Sequence, residues 1–371
     1  MKMRNSDRRQ WLARLAAAAA TPGLFGATVR AQPAPADDLL GGGRYQEVAG
    51  GPFRYSVTRV APAHGRVRLI DVPFFPHGIT LDPANRQRAF AFEKIGPGAG
   101  VVDLAEMRWV RPIEPVAGRR FYGHGACSPD ARLLFSTETD SQGQGAIGVR
   151  EAASLQYLGD FPTYGANPHD CVLIEDGKVL LITNGGGTAS SGDTPCLTYV
   201  DVASQRLLQR VPMPDARFNT GHVAALPGRQ ALVVSAPRLG LDATHLGAVS
   251  RHIGQNTLQV LNAPADVAGG MTGEALSVLA LPQQDLFVVT HPTPGWVTAW
   301  RLGSGAHVRT LQLPHARGLA LSADRSFLWI THGAGAAMDG FDLPTLQPRP
   351  GTAMARTVLA GSHLFNHAWM P

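Results

Sequence analysis

Five histidines head five similar phrases in this chain of 371 residues. His77 leads Gly78-Ile79-Thr80-Leu81-Asp82, His124 leads Gly125-Ala126-Cys127-Ser128, and His169 leads Asp170-Cys171-Val172-Leu173. His222 leads Val223-Ala224-Ala225-Leu226, and His315 leads Ala316-Arg317-Gly318-Leu319. The intervals are 47, 45, 53 and 93 residues, the last close to two repeats. A neutral imidazole offers one nitrogen lone pair and is a common ligand for copper, iron, zinc and nickel. Several imidazoles brought to one point make a nitrogen-rich metal site.

The elements that must position them follow from what surrounds each histidine. Each phrase is a small-residue and apolar run that closes on a Pro, Asp or Gly turn. A second run follows: Leu133-Leu134-Phe135-Ser136-Thr137-Glu138, Val179-Leu180-Leu181-Ile182-Thr183-Asn184, Leu286-Phe287-Val288-Val289-Thr290-His291 and Phe327-Leu328-Trp329-Ile330-Thr331-His332 are examples. Third runs such as Leu197-Thr198-Tyr199-Val200-Asp201 and fourth runs such as Leu207-Leu208-Gln209-Arg210-Val211 complete each unit. Short β-branched and aromatic runs between turns read as strands. Four strands repeated at roughly 45–50 residues are the pattern of a β-propeller blade. The predicted fold is all-β, a single propeller of seven four-stranded blades. The run Leu364–Trp369 joins N-terminal runs Phe53–Val60 and Val67–Val72 to close the ring, which leaves no free sheet edge. Leu276-Ser277-Val278 is an inner phrase in which Ser277 stands where the others carry histidine.

Inner strands of a propeller converge on one axis, so the leading histidines would ring one channel. The ends of the second strands bring Glu138, His291 and His332 toward the same channel in this reading. The expected metal ligands are therefore His77, His124, His169, His222, His291, His315, His332 and Glu138. Imidazoles suit copper or iron, and a carboxylate tips the balance toward the harder iron.

Composition supports the fold and narrows the partners. Only 16% of residues are charged, with 42 glycines and 28 prolines, as many short strands joined by turns require. Residues 1–31 hold six basic residues (Lys2, Arg4, Arg8, Arg9, Arg14, Arg30) against Asp7, a net of +5, equal to the charge of the whole chain. The remainder, 32–371, is thus near neutral, with no basic face for nucleic acid or an anionic membrane. Arg8-Arg9-Gln10-Trp11-Leu12 and the apolar run after it read as an export signal of the twin-arginine type, cleaved near Ala31. It is too short and alanine-rich to span a membrane well. The mature chain is expected in the periplasm as a monomer without a transmembrane segment. Cys127, Cys171 and Cys196 are an odd number in an exported chain, so at least one thiol is free. Cys127 and Cys171 fall at nearly matching places in adjacent inner strands and read as buried small apolar residues.

The stretch Gly118-Arg119-Arg120-Phe121-Tyr122-Gly123-His124-Gly125, with Ser128-Pro129-Asp130 and Thr137-Glu138-Thr139-Asp140, resembles an exported bacterial family known as domain of unknown function 1513, a YVTN/WD40-like β-propeller family. Gly145-Ala146-Ile147-Gly148-Val149, Gly165-Ala166-Asn167-Pro168-His169-Asp170 and Thr183-Asn184-Gly185-Gly186 extend the likeness, which is most specific between residues 118 and 187. Asp170 stands where the family leads one to expect glutamate. The resemblance implies an exported protein encoded beside imelysin-like and dihaem proteins, in periplasmic iron or metal handling.

Three functions fit the sequence. The leading one is a non-catalytic protein that binds or delivers iron or copper. The second is an oxidoreductase that uses the same metal. The third is a partner-binding scaffold whose histidines are structural, since duplication of a repeat copies structural residues too.

Overall fold

The computed structural model describes residues 36–370 except Ala189; the export signal read at residues 1–31 lies outside them. The described residues form seven sheets of four antiparallel strands each. Six blades run outward in chain order from their inner strands, Pro76–Asp82, Arg119–Cys127, Pro168–Ile174, Val223–Leu226, Val278–Leu281 and Leu319–Leu321. We number these blades one to six. The seventh takes its inner strand, Leu359–Asn366, from the C-terminal end. Leu39–Tyr45, Arg54–Ala61 and Arg66–Val72 complete it. The two ends of the chain close the ring, as the sequence predicts.

Burial follows strand position. Second strands are buried along nearly their whole length, as in Val179–Asn184 and Leu286–His291, because neighbouring blades cover both faces. Outer strands such as Arg108–Pro112 are mostly exposed. The apolar side chains gather into seven clusters, each between two adjacent blades. Phe92 and Phe121, for example, meet between blades one and two with ring centres 5.9 Å apart. Full burial of one such side chain stabilises by about 1.5–3 kcal/mol. Cys171 is buried in the cluster between blades two and three, Cys127 packs beside the one between blades one and two, and all three cysteines are free. No helix among the described residues is long and apolar enough to cross a membrane.

One recurring contact explains how inner strands reach the axis. The hydroxyls of Thr137, Thr183, Thr290 and Thr331 accept the backbone N–H of the residue thirteen positions earlier, namely His124, Asp170, Ser277 and Gly318. Each threonine satisfies an inner-strand N–H near a place where regular pairing is interrupted or begins, and a buried N–H needs such a partner. The contact also fixes which residues are equivalent. Asp170, not His169, holds in blade three the place that His124 holds in blade two. Inner-strand pairing shifts between Pro76 and Gly78 and between Pro168 and Cys171, at His77 and His169.

Candidate metal centre

His77, His124, His169 and His222 converge on the axis with ligand atoms all within 4.8 Å of one another. They come from the inner phrases of blades one to four, and each is at most 9% exposed. The Nε2 atoms of His77, His169 and His222 form a triangle with edges of 3.2, 3.0 and 2.9 Å. For metal–nitrogen bonds of about 2.0–2.1 Å, ligand atoms stand about 2.9 Å apart at right angles and about 3.4 Å apart at tetrahedral angles. The triangle has the dimensions of three ligands on one face of an ion.

The outward nitrogens dictate which tautomers are present. Nδ1 of His222 donates to the carbonyl of Leu276 at 2.6 Å, so its Nε2 carries a bare lone pair. Nδ1 of His124 lies 3.3 Å from Oδ1 of Asp170, whose other oxygen accepts the Val223 N–H at 3.0 Å. His124 Nε2 is buried with no hydrogen-bond partner. Nδ1 of His77 is 3.4 Å from the Ser362 hydroxyl. Outward donors that turn Nε2 inward are the arrangement that supports metal-ligating histidine. Burial holds all four rings neutral: His124 and His222 are pushed down to about 3, and His77 and His169 are held well below the usual histidine value. Protons therefore do not compete for these nitrogens near neutral pH.

A fifth ring belongs to the same group. His363, on the closing strand, stands 4.1 Å from His222, 4.8 Å from His124 and 5.2 Å from His77, centre to centre. Sequence reading aligned the closing run on Leu364–Trp369 and passed over it. Spacing contained the signal: His363 lies 45 residues after Gly318, one repeat length.

The other expected ligands are not at the axis. His315 sits exposed in a turn with φ of 54°, and Gly318 takes the inner-strand place in its blade. A side chain at Gly318 would lie 2.7 Å from Cβ of Leu364, so blade six has no room to offer a ligand there. Glu138, His291 and His332 directly follow the threonines that bond the inner strands. Alternation along a strand turns them away, and each instead reaches the third strand of its own blade. Glu138 pairs with Arg150 at 2.7 Å, His291 meets Thr298 at 2.9 Å and His332 meets Asp339 at 2.6 Å. The expectation that they line the axis is corrected on that ground. Ser277 does stand in the axial register, and its hydroxyl donates to the Ser362 carbonyl.

The centre separates two cavities. One, of about 190 Å³, reaches His169 and His222 and is lined by Lys94, Tyr122, Asn167, Asn219 and Glu274. Lys94 and Glu274 pair at 3.9 Å there. The other, of about 290 Å³, reaches His124, His222 and His363 between mainly apolar residues such as Ile79, Leu81, Leu319 and Phe365.

The family described as "Protein of unknown function (DUF1513)" matches residues 70–364, from the last strand before blade one to the strand that carries His363. The chain belongs to this family. As a DUF1513 protein it shares its fold with two solved structures. Kuenenia stuttgartiensis hydrazine synthase has a TM-score of 0.62 at 14% identity, covering 88% of this chain and 100% of that one. The periplasmic gluconolactonase PpgL of Pseudomonas aeruginosa has a TM-score of 0.62 at 18% identity, covering 88% and 97%. At these identities the likeness concerns the propeller alone. No curated protein matches the sequence.

Proposed function

We propose that this DUF1513 protein is an exported, periplasmic propeller that holds one copper or iron ion on His77, His124, His169 and His222, in metal uptake or handling. The observation that carries the reading is the Nε2 triangle. Neutral imidazole has one N–H, and His222 has committed its own to Leu276. If His77 and His169 both donated to His222, their hydrogens would face each other across 3.2 Å. If one did, the other's lone pair would still face that of His222 at 2.9–3.0 Å, and if neither did, three lone pairs would converge. A cation at the centre, with the protons of His77 and His169 on their outward Nδ1 atoms, uses all three lone pairs, whereas a buried nitrogen left unpaired costs about 1–3 kcal/mol. The scaffold reading leaves that cost unexplained.

The donor set orders the metals. With Glu138 committed to Arg150, no carboxylate joins the imidazoles, and the argument for iron from a hard ligand falls away. A nitrogen-only set binds divalent copper most tightly along the first-row series. Copper is therefore the first choice and iron the second. Partnership with imelysin-like and dihaem proteins belongs to the same proposal and rests on the family resemblance.

A second reading, a metal-dependent oxidoreductase, is favoured by the chamber that Lys94, Tyr122, Asn167 and Glu274 line. It gives a small molecule access to the His169 and His222 side of the centre. Turnover of an electron donor by the loaded protein separates the two readings.

The deciding experiment is elemental analysis with an optical spectrum of tag-free protein purified from the periplasm. The expected result is about one equivalent of copper or iron, absent from a His124→Ala/His169→Ala double variant. Protein that arrives metal-free and takes up neither added ion overturns the proposal.

A further inference from the structure

His363 is outside the group of four, yet three observations attach it to the same ion. Its Nε2 is buried and without a partner, as is that of His124, and among the described residues these are the two imidazole Nε2 atoms in that state. Nine of the ten ring pairs among the five histidines have centres 4.1–5.3 Å apart. With a metal–nitrogen bond of about 2.0–2.1 Å, ring centres lie about 3.2 Å from the ion. Rings are then about 4.5 Å apart at right angles and about 5.5 Å apart at 120°. Eight of the nine spacings, 4.7–5.3 Å, fall in that range, and the His222–His363 pair at 4.1 Å is slightly closer. Finally, the His363 ring runs nearly parallel to that of Phe365, with centres 5.6 Å apart and 15° between planes.

We infer that the centre is a five-imidazole site in which His363 is the fifth ligand, and that the bound ion clasps the closing strand to blades one to four. The inference rests on the metal reading above. It has two consequences. Five nitrogen donors suit Cu(II), which such a set binds most tightly along the first-row series, whereas structural Zn(II) sites are almost always four-coordinate. The site should therefore discriminate for copper against zinc. The closing strand pairs with Leu39–Tyr45 in its own blade, and toward the axis it also meets Ser277 through the Ser362 carbonyl and His77 through the Ser362 hydroxyl. A metal bond to His363 adds a link between the closing strand and blades one to four, and an ion that binds only the folded ring stabilises it by mass action.

The test uses the mature full chain and Cu(II) sulfate. Amide hydrogen exchange over Leu359–Asn366 is measured with and without copper, and Cu(II) affinity and electron paramagnetic resonance spectra are compared across variants. In the wild type, copper is expected to slow exchange in that strand at least tenfold. His363→Ala is expected to keep about one copper, bind it at least tenfold more weakly, give a changed spectrum and lose the strand's protection. His363→Phe, which keeps the stack on Phe365, serves if the alanine variant fails to fold, and exposed His315→Ala is the unchanged control. Wild-type affinity and spectrum in both His363 variants, or copper that leaves exchange in the strand unaltered, overturns the inference while the four-histidine reading stands. A wild type that binds no copper or iron overturns both.

Discussion

Asp170 occupies in blade three the place that His124 occupies in blade two, and the two side chains meet with Oδ1 3.3 Å from Nδ1. Both backbone N–H groups bond a second-strand threonine thirteen residues on. The repeat has thus placed a candidate ligand and the acid beside it at equivalent positions of neighbouring blades. Burial raises Asp170 from the usual carboxylate value, and the Val223 N–H opposes that rise. Asp170→Asn should keep the fold and about one equivalent of metal, because the amide oxygen still accepts from Val223. It should weaken affinity about 10–100-fold, the usual effect of losing a ligand's hydrogen-bond partner. Competition against a chelator of known strength measures this, and unchanged affinity would remove Asp170 from the centre.

Glu138 is fully buried and shares Arg150 with Ser136, at 2.7 and 2.8 Å, while the other guanidinium nitrogen donates to the Glu114 carbonyl at 3.0 Å. Removal of one member of a buried pair strands the other's charge. Glu138→Ala should cost about 3–5 kcal/mol in urea unfolding. Metal stoichiometry in the folded fraction should not change. Loss of metal at full stability would restore Glu138 as a ligand.

The sequence made the ring legible because each blade repeats one physical unit, an apolar strand between turns, and that unit is visible without knowledge of its neighbours. Four of the five central histidines were legible for the same reason. What local pattern could not convey was register. His315 looks equivalent to His222 by phrase, yet its strand pairs three residues later at Gly318. Glu138, His291 and His332 lie at the right height, but strand alternation sends them to the third strand. His363 was hidden because the closing strand carries no leading turn phrase, and its place depends on pairing between the two ends of the chain.

His291 provides a pH signature separate from the centre. It is fully buried in blade five, and burial pushes it down to about 3. The unfolded chain takes up a proton that the folded chain refuses. The contribution is complete above about pH 6.5 and is lost as pH falls toward about 3. One such group costs about 1.4 kcal/mol per pH unit in that window, or about 2 kcal/mol between pH 6.5 and pH 5. His291→Asn should therefore lose about 2 kcal/mol less than wild type over that interval. Urea titrations at the two pH values measure the difference, and parallel losses in both proteins would reject it.

Gly318 has no room for a side chain. A methyl group there would meet the Leu364 backbone nitrogen at 2.8 Å and the His363 carbonyl carbon at 3.0 Å. Those atoms are backbone of the closing strand and cannot swing aside as a side chain would. Gly318→Ala must push Leu359–Asn366 outward, at a cost of about 1–3 kcal/mol, as for other overpacked sites. The same shift draws His363 from the other four rings. The variant should therefore melt lower and also bind copper more weakly than wild type, although no ligand has been altered. Ala320→Gly, in the adjoining inner strand Leu319–Leu321, is the control for loss of stability without displacement of the closing strand. A Gly318→Ala protein that melts lower but binds copper as tightly as wild type would show that the closing strand's position does not govern the centre.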